Sequence, residues 1–411
     1  MSLTDSLNYK PKAGAVQSRS YRNNVKSNSS SYTQQQTILI DIPCGRPNTF
    51  LDQSQSYLKM KVAIATQNAI FDGTASSIIS RLDIYHASNL IESITDYNVL
   101  ASLLFDFSCG SDTWFSTCNV MMGSSSATNR QGLAVAAAAS ATVCLPLISG
   151  VVGTLADKYL PLGEMSGGDL RLEITLASDD VGLVNAVDGT VMTVSEVEFV
   201  CQIVELSDDA GRQIRQMNGG NYQIHGTSFR GYTNSMSAVA GTQSLLVPAR
   251  FTSLKSLLVA TRNSASAVAA LAHSVSGRSR DNISSAQLRV GSLSVPQKAI
   301  DCTTVSEPFA ELLKAFHAIS ISDYSTLVNR TTYDSANSAA ADHTYAWAIG
   351  FELESFSLKN DVLQSGINSI SQNIFLDLTC STALTAAYTI NTFACIDHML
   401  TVQNGIMVCS F

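Results

Sequence analysis

The sequence predicts an all-β chain in which one β-sandwich plan is written twice, each copy with a short amphipathic helix, behind an extended N-terminal arm. Three observations carry this. Many short segments alternate polar and apolar residues, as in Leu170–Leu176, where Leu170, Leu172, Ile174 and Leu176 share one face. Gly, Ser, Asn and Asp clusters such as 123–129 and 178–189 separate these segments. Two stretches instead repeat apolar residues at helical spacing, and they recur, with several strand-like segments, at an offset of about 200 residues.

Residues 1–37 are polar and aperiodic, which predicts disorder or a strap over a neighbouring molecule. The β pattern begins at Thr37–Ile42 and continues through Ser56–Ile64. Arg81–Tyr85 and Asn89–Ile94 flank a turn at Ala87-Ser88. The first helical stripe starts near Thr95 and carries Leu100, Leu103, Leu104 and Phe107. The second starts near Ser306 and carries Phe309, Leu312, Leu313 and Phe316, an offset of 209. Thr95-Asp96 and Ser306-Glu307-Pro308 are the expected caps. The apolar stretch Leu133–Val152 is broken by Ser140, Thr142, Pro146 and Ser149, so it reads as an Ala-rich loop entering a strand at Val143–Ile148 rather than a membrane span. Val197, Phe199, Cys201 and Ile203 again alternate.

Three strand matches accompany the two helices. Ser56–Val62 pairs with Ser253–Val259 at an offset of 197, and Arg81–Ile84 with Gln287–Val290 at 206. Leu170, Leu172 and Ile174 pair with Ile374, Leu376 and Leu378 at 204. Short apolar strands resemble one another everywhere, but four matches in one order at similar offsets indicate duplication. The join is expected within Ser207–Gly226, giving an arm 1–37, a first sandwich 38–210 and a second 211–411.

Composition narrows the function. With 411 residues, 45% hydrophobic, the chain can fill a large core and is not intrinsically disordered. Charged residues are 14%, against roughly 25% in ordinary soluble domains. A surface so poor in charge is expected to be covered by other chains. The net charge of −8 argues against a protein that coats nucleic acid as a whole. The arm is the exception: Lys10, Lys12, Arg19, Arg22 and Lys26 against Asp5 give it +4, leaving the body at −12.

Nine scattered cysteines with no CxxC predict reduced, mostly buried thiols rather than a disulfide framework or a metal site. Cys395 and His398 would face opposite sides of a strand. The polar N-terminus predicts no secretory signal peptide, and hence assembly inside a cell. No nucleophile elbow, Walker loop or GxGxxG occurs, so neither a catalytic role nor a cofactor is expected. The pairs Glu196/Glu198 and Glu352/Glu354 read as solvent-facing carboxylates on strands, and His86 and His317 as structural. Trp114 and Trp347, near Tyr345, read as core or interface anchors rather than a sugar platform.

Several of these segments together resemble a known family. They are Phe50–Gln53 followed by Ser56-Tyr57-Leu58, the hairpin and helix of 75–104, Leu145-Pro146-Leu147 with Lys158–Gly163, Val247–Phe251, 351–367 and Asn404-Gly405-Ile406. They resemble double jelly-roll major capsid proteins of the tectivirus–adenovirus lineage, in the manner of polinton-like viruses, virophages and adintoviruses. The resemblance spans roughly residues 38–411.

It implies two tandem eight-stranded jelly rolls per chain. It further implies a homotrimeric, pseudo-hexagonal capsomer tiling an icosahedral virion shell, and contacts with neighbouring capsomers, penton and minor capsid proteins. Gly110–Ala141 and Asn263–Asp281 would be outward loops. The arm, through Lys10, Lys12, Arg19, Arg22 and Lys26, would meet neighbouring capsomers, genome or an inner membrane. The alternatives are a single-jelly-roll capsid protein with a projection domain, whose arm is usually more basic, and a two-domain β-sandwich adhesin or lectin.

Overall fold

The computed structural model describes residues 18–66, 68–184, 192–264, 273–321, 323–334, 345–355 and 364–411. The first half contains β1 (Ser18–Lys26), β2 (Thr37–Ile42), β3 (Thr49–Ile64), β4 (Ile79–His86), β5 (Asn89–Thr95), α1 (Tyr97–Ser108), β6 (Ser140–Leu145), β7 (Leu170–Leu176) and β8 (Met192–Leu206). The helix α2 (Asp208–Asn218) links the halves. The second half contains β9 (Asn221–Met236), β10 (Gly241–Val247), β11 (Leu254–Asn263), β12 (Ile283–Val290), β13 (Leu293–Asp301), α3 (Ser306–Ala315), β14 (Ala348–Glu352), β15 (Ile374–Cys380), β16 (Tyr388–Gln403) and β17 (Ile406–Ser410).

In the first half the sheets run β1-β8-β3-β6 and β2-β7-β4-β5; in the second they run β9-β16-β11-β14 and β10-β15-β12-β13. The pairings are antiparallel throughout. The chain passes from one facing sheet to the other at nearly every connection, which is the jelly-roll winding, and the two halves wind identically. The matches seen in the sequence fall on corresponding parts of this winding: β3 with β11, β4 with β12, α1 with α3, and β7 with β15. The repeat is therefore one of topology.

Burial follows the period-two pattern. Leu170, Leu172, Ile174 and Leu176 of β7 are at most 1% exposed, and they meet Ile38, Ile40 and Ile42 of β2 within their sheet. Leu58, Met60, Val62 and Ile64 of β3 line the opposing sheet. Ile374, Leu376 and Leu378 of β15 repeat the arrangement, buried and opposite Val290, Leu288 and Ala286 of β12 within their sheet. Each such side chain contributes about 1.5–3 kcal/mol relative to leaving it in water.

The structure corrects the expected arm. Ser18–Lys26 is not a loose strap; it is β1, paired along β8 from Ser18 opposite Leu206 to Lys26 opposite Glu198. Its inward face is Tyr21, Asn23 and Val25, only half buried, and its other face is exposed. A backbone ladder rather than apolar burial holds such an edge strand, so periodicity gives little sign of it. The first roll thus begins by Ser18, and α2 spans the expected cut between 210 and 211.

The caps also differ. Asp96 takes a left-handed conformation and makes no cap; its carboxylate accepts from Thr233 Oγ1 at 2.5 Å and Asn391 Nδ2 at 2.8 Å. Ser306 lies within α3, behind Val305. The segment expected as the outward loop 110–141 is substantially folded, with Trp114 and Arg130 each 2% exposed. Of the other expected loop, 265–272 lies outside the described residues, and His273, Ser274, Ser276 and Arg278 are buried. No helix among the described residues is long and apolar enough to cross a membrane.

Candidate functional site

Between the rolls lies a seam of charged and polar side chains. Asp72 follows a short strand of the first roll and is 2% exposed. It accepts from His273 Nδ1 at 3.0 Å, from the backbone N–H of Val275 at 2.6 Å and Ser276 at 3.2 Å, and from the Ser276 hydroxyl. Burial alone would raise this carboxyl, but the His273 hydrogen bond and charge, with Ser276 and Val275, hold it below the usual carboxylate range. Asp106 of α1 binds Arg130 Nε at 2.8 Å and also Arg278 of the second roll. Arg130 donates in turn to the Ser276 carbonyl, and Arg278 to Ser102 Oγ at 3.2 Å. Burial pushes the Arg278 guanidinium down to about 10, with Asp106 opposing.

Further along the seam, Glu92 of β5 accepts from the Ser149 and Ser228 hydroxyls and from Gly150 N–H at 3.0 Å. Arg230 donates to the Ser93 carbonyl at 2.8 Å. Gly231 is needed where the backbones meet: a Cβ there would lie 2.5 Å from the Thr95 carbonyl oxygen. Sequence reading missed this network because its members are scattered. One signal existed: Asp106 stands three residues after Leu103, a charge inside the apolar stripe of α1.

The two helices occupy equivalent places yet differ in cover. In α1, Leu100, Leu103, Asp106 and Phe107 are all buried, and Phe107 packs against Phe309, Phe316 and Tyr333 of the second roll. In α3, burial is confined to Pro308, Leu312 and Ala315. Its other side opens on a groove of about 430 Å³ lined by Phe309, Ala310, Leu313, Ile319, Val328 and Tyr333. Ile319 and Ile321 beside it are 54% and 52% exposed, and Met217 of α2 is 86% exposed.

Of the five arm cations, Lys10 and Lys12 lie outside the described residues. Arg19, Arg22 and Lys26 project from β1. Arg19 pairs with Glu205 at 2.8 Å, and Arg46 reaches the same carboxylate at 3.0 Å. Arg22 donates to Asn24 and sits over the Tyr57 ring. Acidic residues of β8 thus offset part of this charge.

The Glu352/Glu354 pair is not simply solvent-facing, as expected. The Glu354 side chain is 6% exposed, burial pushes Glu352 up to about 7, and both carboxylates face His317. Trp114 and Trp347 are 2% and 0% exposed, so neither presents a face to a sugar. All nine cysteines are free thiols, with Cys44, Cys144, Cys395 and Cys409 only partly covered.

No protein-family model matches the sequence, and no curated protein matches it. Solved structures do match over nearly the whole chain. VP54 of PBCV-1, fitted into a reconstruction of the virophage Sputnik, aligns with a TM-score of 0.68 at 10% identity, covering 98% of each chain. The Faustovirus major capsid protein aligns with a TM-score of 0.61 at 9% identity, covering 98% of this chain and 93% of its own. The mavirus major capsid protein aligns with a TM-score of 0.55 at 10% identity, covering 100% and 93%. At such identities the likeness establishes a shared fold: two tandem jelly rolls in one chain.

Proposed function

We propose that the chain is a major capsid protein whose role is structural rather than catalytic. Three copies close into a pseudo-hexagonal capsomer, and capsomers tile an icosahedral shell. The shared fold supports the class of protein, and the asymmetry of the two helices carries the assembly. Within a chain, the second roll seals the α1 side of the first. On the second roll, α3 leaves its apolar groove open. A roll of the next chain seated there makes a heterologous contact, and such contacts form rings when the rotation closes. Two rolls per chain and three chains give six similar sides.

The composition fits this reading. Asp72, Glu92, Asp106, Arg130, Arg262 and Arg278 are buried, so the already sparse charge is scarcer still outside. That suits large obligate interfaces, which are more apolar than ordinary surface. The segment before β1 then meets neighbouring capsomers, genome or membrane through Lys10 and Lys12, while Arg19, Arg22 and Lys26 stay with β1. Penton and minor capsid proteins contact the capsomer rim.

Size-exclusion chromatography with light scattering tests the proposal. The wild type is expected at three times the chain mass, and Leu313→Asp as a monomer with an unchanged circular dichroism spectrum. A wild type that stays monomeric in concentrated solution overturns it; trimers in Leu313→Asp show that the groove is not the contact.

A further inference from the structure

We propose that His317, Glu352 and Glu354 form a binding site for one divalent transition-metal ion of the zinc class, tying the end of α3 to the end of β14. The site is independent of the capsid reading.

The local fold assembles it. A Cβ at Gly350 of β14 would lie 2.7 Å from the Ala315 Cβ, so α3 rests directly on the strand. Two residues past the helix, His317 takes a left-handed conformation with φ of 54° and donates its N–H to the Lys314 carbonyl at 2.8 Å. This turns the imidazole back over the end of β14. Glu352 and Glu354, two apart in extended chain, present their carboxylates on that same side. His317 Nε2 lies 3.2 Å from Glu354 Oε2, and Nδ1 lies 3.7 Å from Glu352 Oε2. One donor atom from each of the three residues falls within 4.8 Å of the others. A metal ion takes one imidazole nitrogen, and nitrogen and oxygen donors held at about 2.0–2.1 Å by a tetrahedral zinc ion stand roughly 3.3 Å apart, close to the spacing of Nε2 and Glu354 Oε2; Glu352 Oε2, which faces Nδ1, has to swing toward that side to join them.

The hydrogen bonding points inward too. Glu352 Oε1 accepts from the Glu354 N–H at 2.8 Å, and Glu354 Oε1 accepts from the Ser365 hydroxyl. The remaining oxygens, Oε2 of each, are buried, make no hydrogen bond among the described residues and aim at the imidazole. Glu354 is more than nine-tenths buried, with a side-chain exposure of 6%. Each carboxylate is thus oriented through one oxygen and offers the other, as outer partners orient metal ligands.

Charge supports a dication. Lys255 Nζ lies 3.4 Å from Glu354 and 3.7 Å from Asp397. Among the described residues, one ammonium stands against the three carboxyl groups of Glu352, Glu354 and Asp397, an excess of acidic groups that a bound cation would balance. The ring is 36% exposed, which provides an entry path and room for a water as fourth ligand. One imidazole with two carboxylates suits zinc, cobalt or manganese better than a calcium cage, which takes six to eight oxygens.

Calorimetry on the full chain, stripped with chelator and titrated with zinc chloride, tests the site. Because the cysteines also attract zinc, the reading is the difference between wild type and variants that keep every thiol. Wild type is expected to take up one more equivalent than His317→Ala, and Glu354→Gln to weaken that equivalent at least tenfold. Zinc should raise the melting temperature of the wild type but not of His317→Ala. The extra equivalent of Co²⁺ should show visible ligand-field bands without thiolate charge transfer. If His317→Ala fails to fold, the isosteric Glu352→Gln supports the same comparison. Equal uptake by wild type and variants, or a thiolate spectrum for the extra equivalent, overturns the proposal.

Discussion

Around Leu172 of β7 and around Asp106 of α1 the chain is almost equally shut off from water, with exposures of 0% and 2%. Leu172 is held by apolar neighbours from both sheets of its roll. Asp106 is held by two guanidiniums, one from each roll. The contrast separates two tasks. Apolar burial is non-directional, so any well-filled sandwich interior satisfies it. A buried ion pair tolerates one geometry, because a misplaced partner leaves an unpaired charge in a dry site. The interiors make the rolls, and the seam sets how one roll sits on the other.

The largest expected effect comes from breaking the seam. Asp106→Ala leaves Arg130 and Arg278 buried without their carboxylate and should cost about 3–5 kcal/mol in urea unfolding. A cost under ~1 kcal/mol would mean that Phe107 and its aromatic neighbours hold the seam instead. Leu172→Ala should cost about 2–4 kcal/mol through lost burial and a cavity. The two should also differ in coupling. Asp106→Ala combined with Arg278→Ala should fall short of additivity by more than about 1 kcal/mol, whereas Leu172→Ala combined with Arg278→Ala should add.

A smaller effect tests Asp72 by pH. Its folded pKa is depressed, so the unfolded chain binds more protons in the acid range. The stabilisation is complete above the ordinary carboxylate pKa of about 3.9 and is lost as pH falls through the lower folded value. Urea midpoints of wild type and Asp72→Asn should therefore differ most near neutral pH and converge in acid; a constant gap would assign the loss to geometry. The smallest effect is expected on the surface. Arg171 and Asp41 pair at 2.8 Å but are 49% and 44% exposed, so Arg171→Ala should change stability by less than about 1 kcal/mol.

The strands that bury one face were readable in advance, as Leu170–Leu176 and its counterpart Ile374–Cys380 show. β1 was not, because Tyr21-Arg22-Asn23-Asn24-Val25 lacks an apolar period and is held by its backbone partner. At the candidate sites, His317 and the Glu352/Glu354 pair were noticed separately. Their convergence depends on how α3 lies on β14, which no local pattern encodes. Asp96 looked like a helix cap and instead reaches Thr233 and Asn391 of the other roll.

The sequence by itself determined the half-buried strands, the two helix stripes and their recurrence in two halves, because strand period and helix stripe are local properties that each copy repeats. Only the tertiary structure decided which charges meet, which helix is covered and which carries an open groove. Those outcomes depend on residues hundreds of positions apart coming within a hydrogen bond's length.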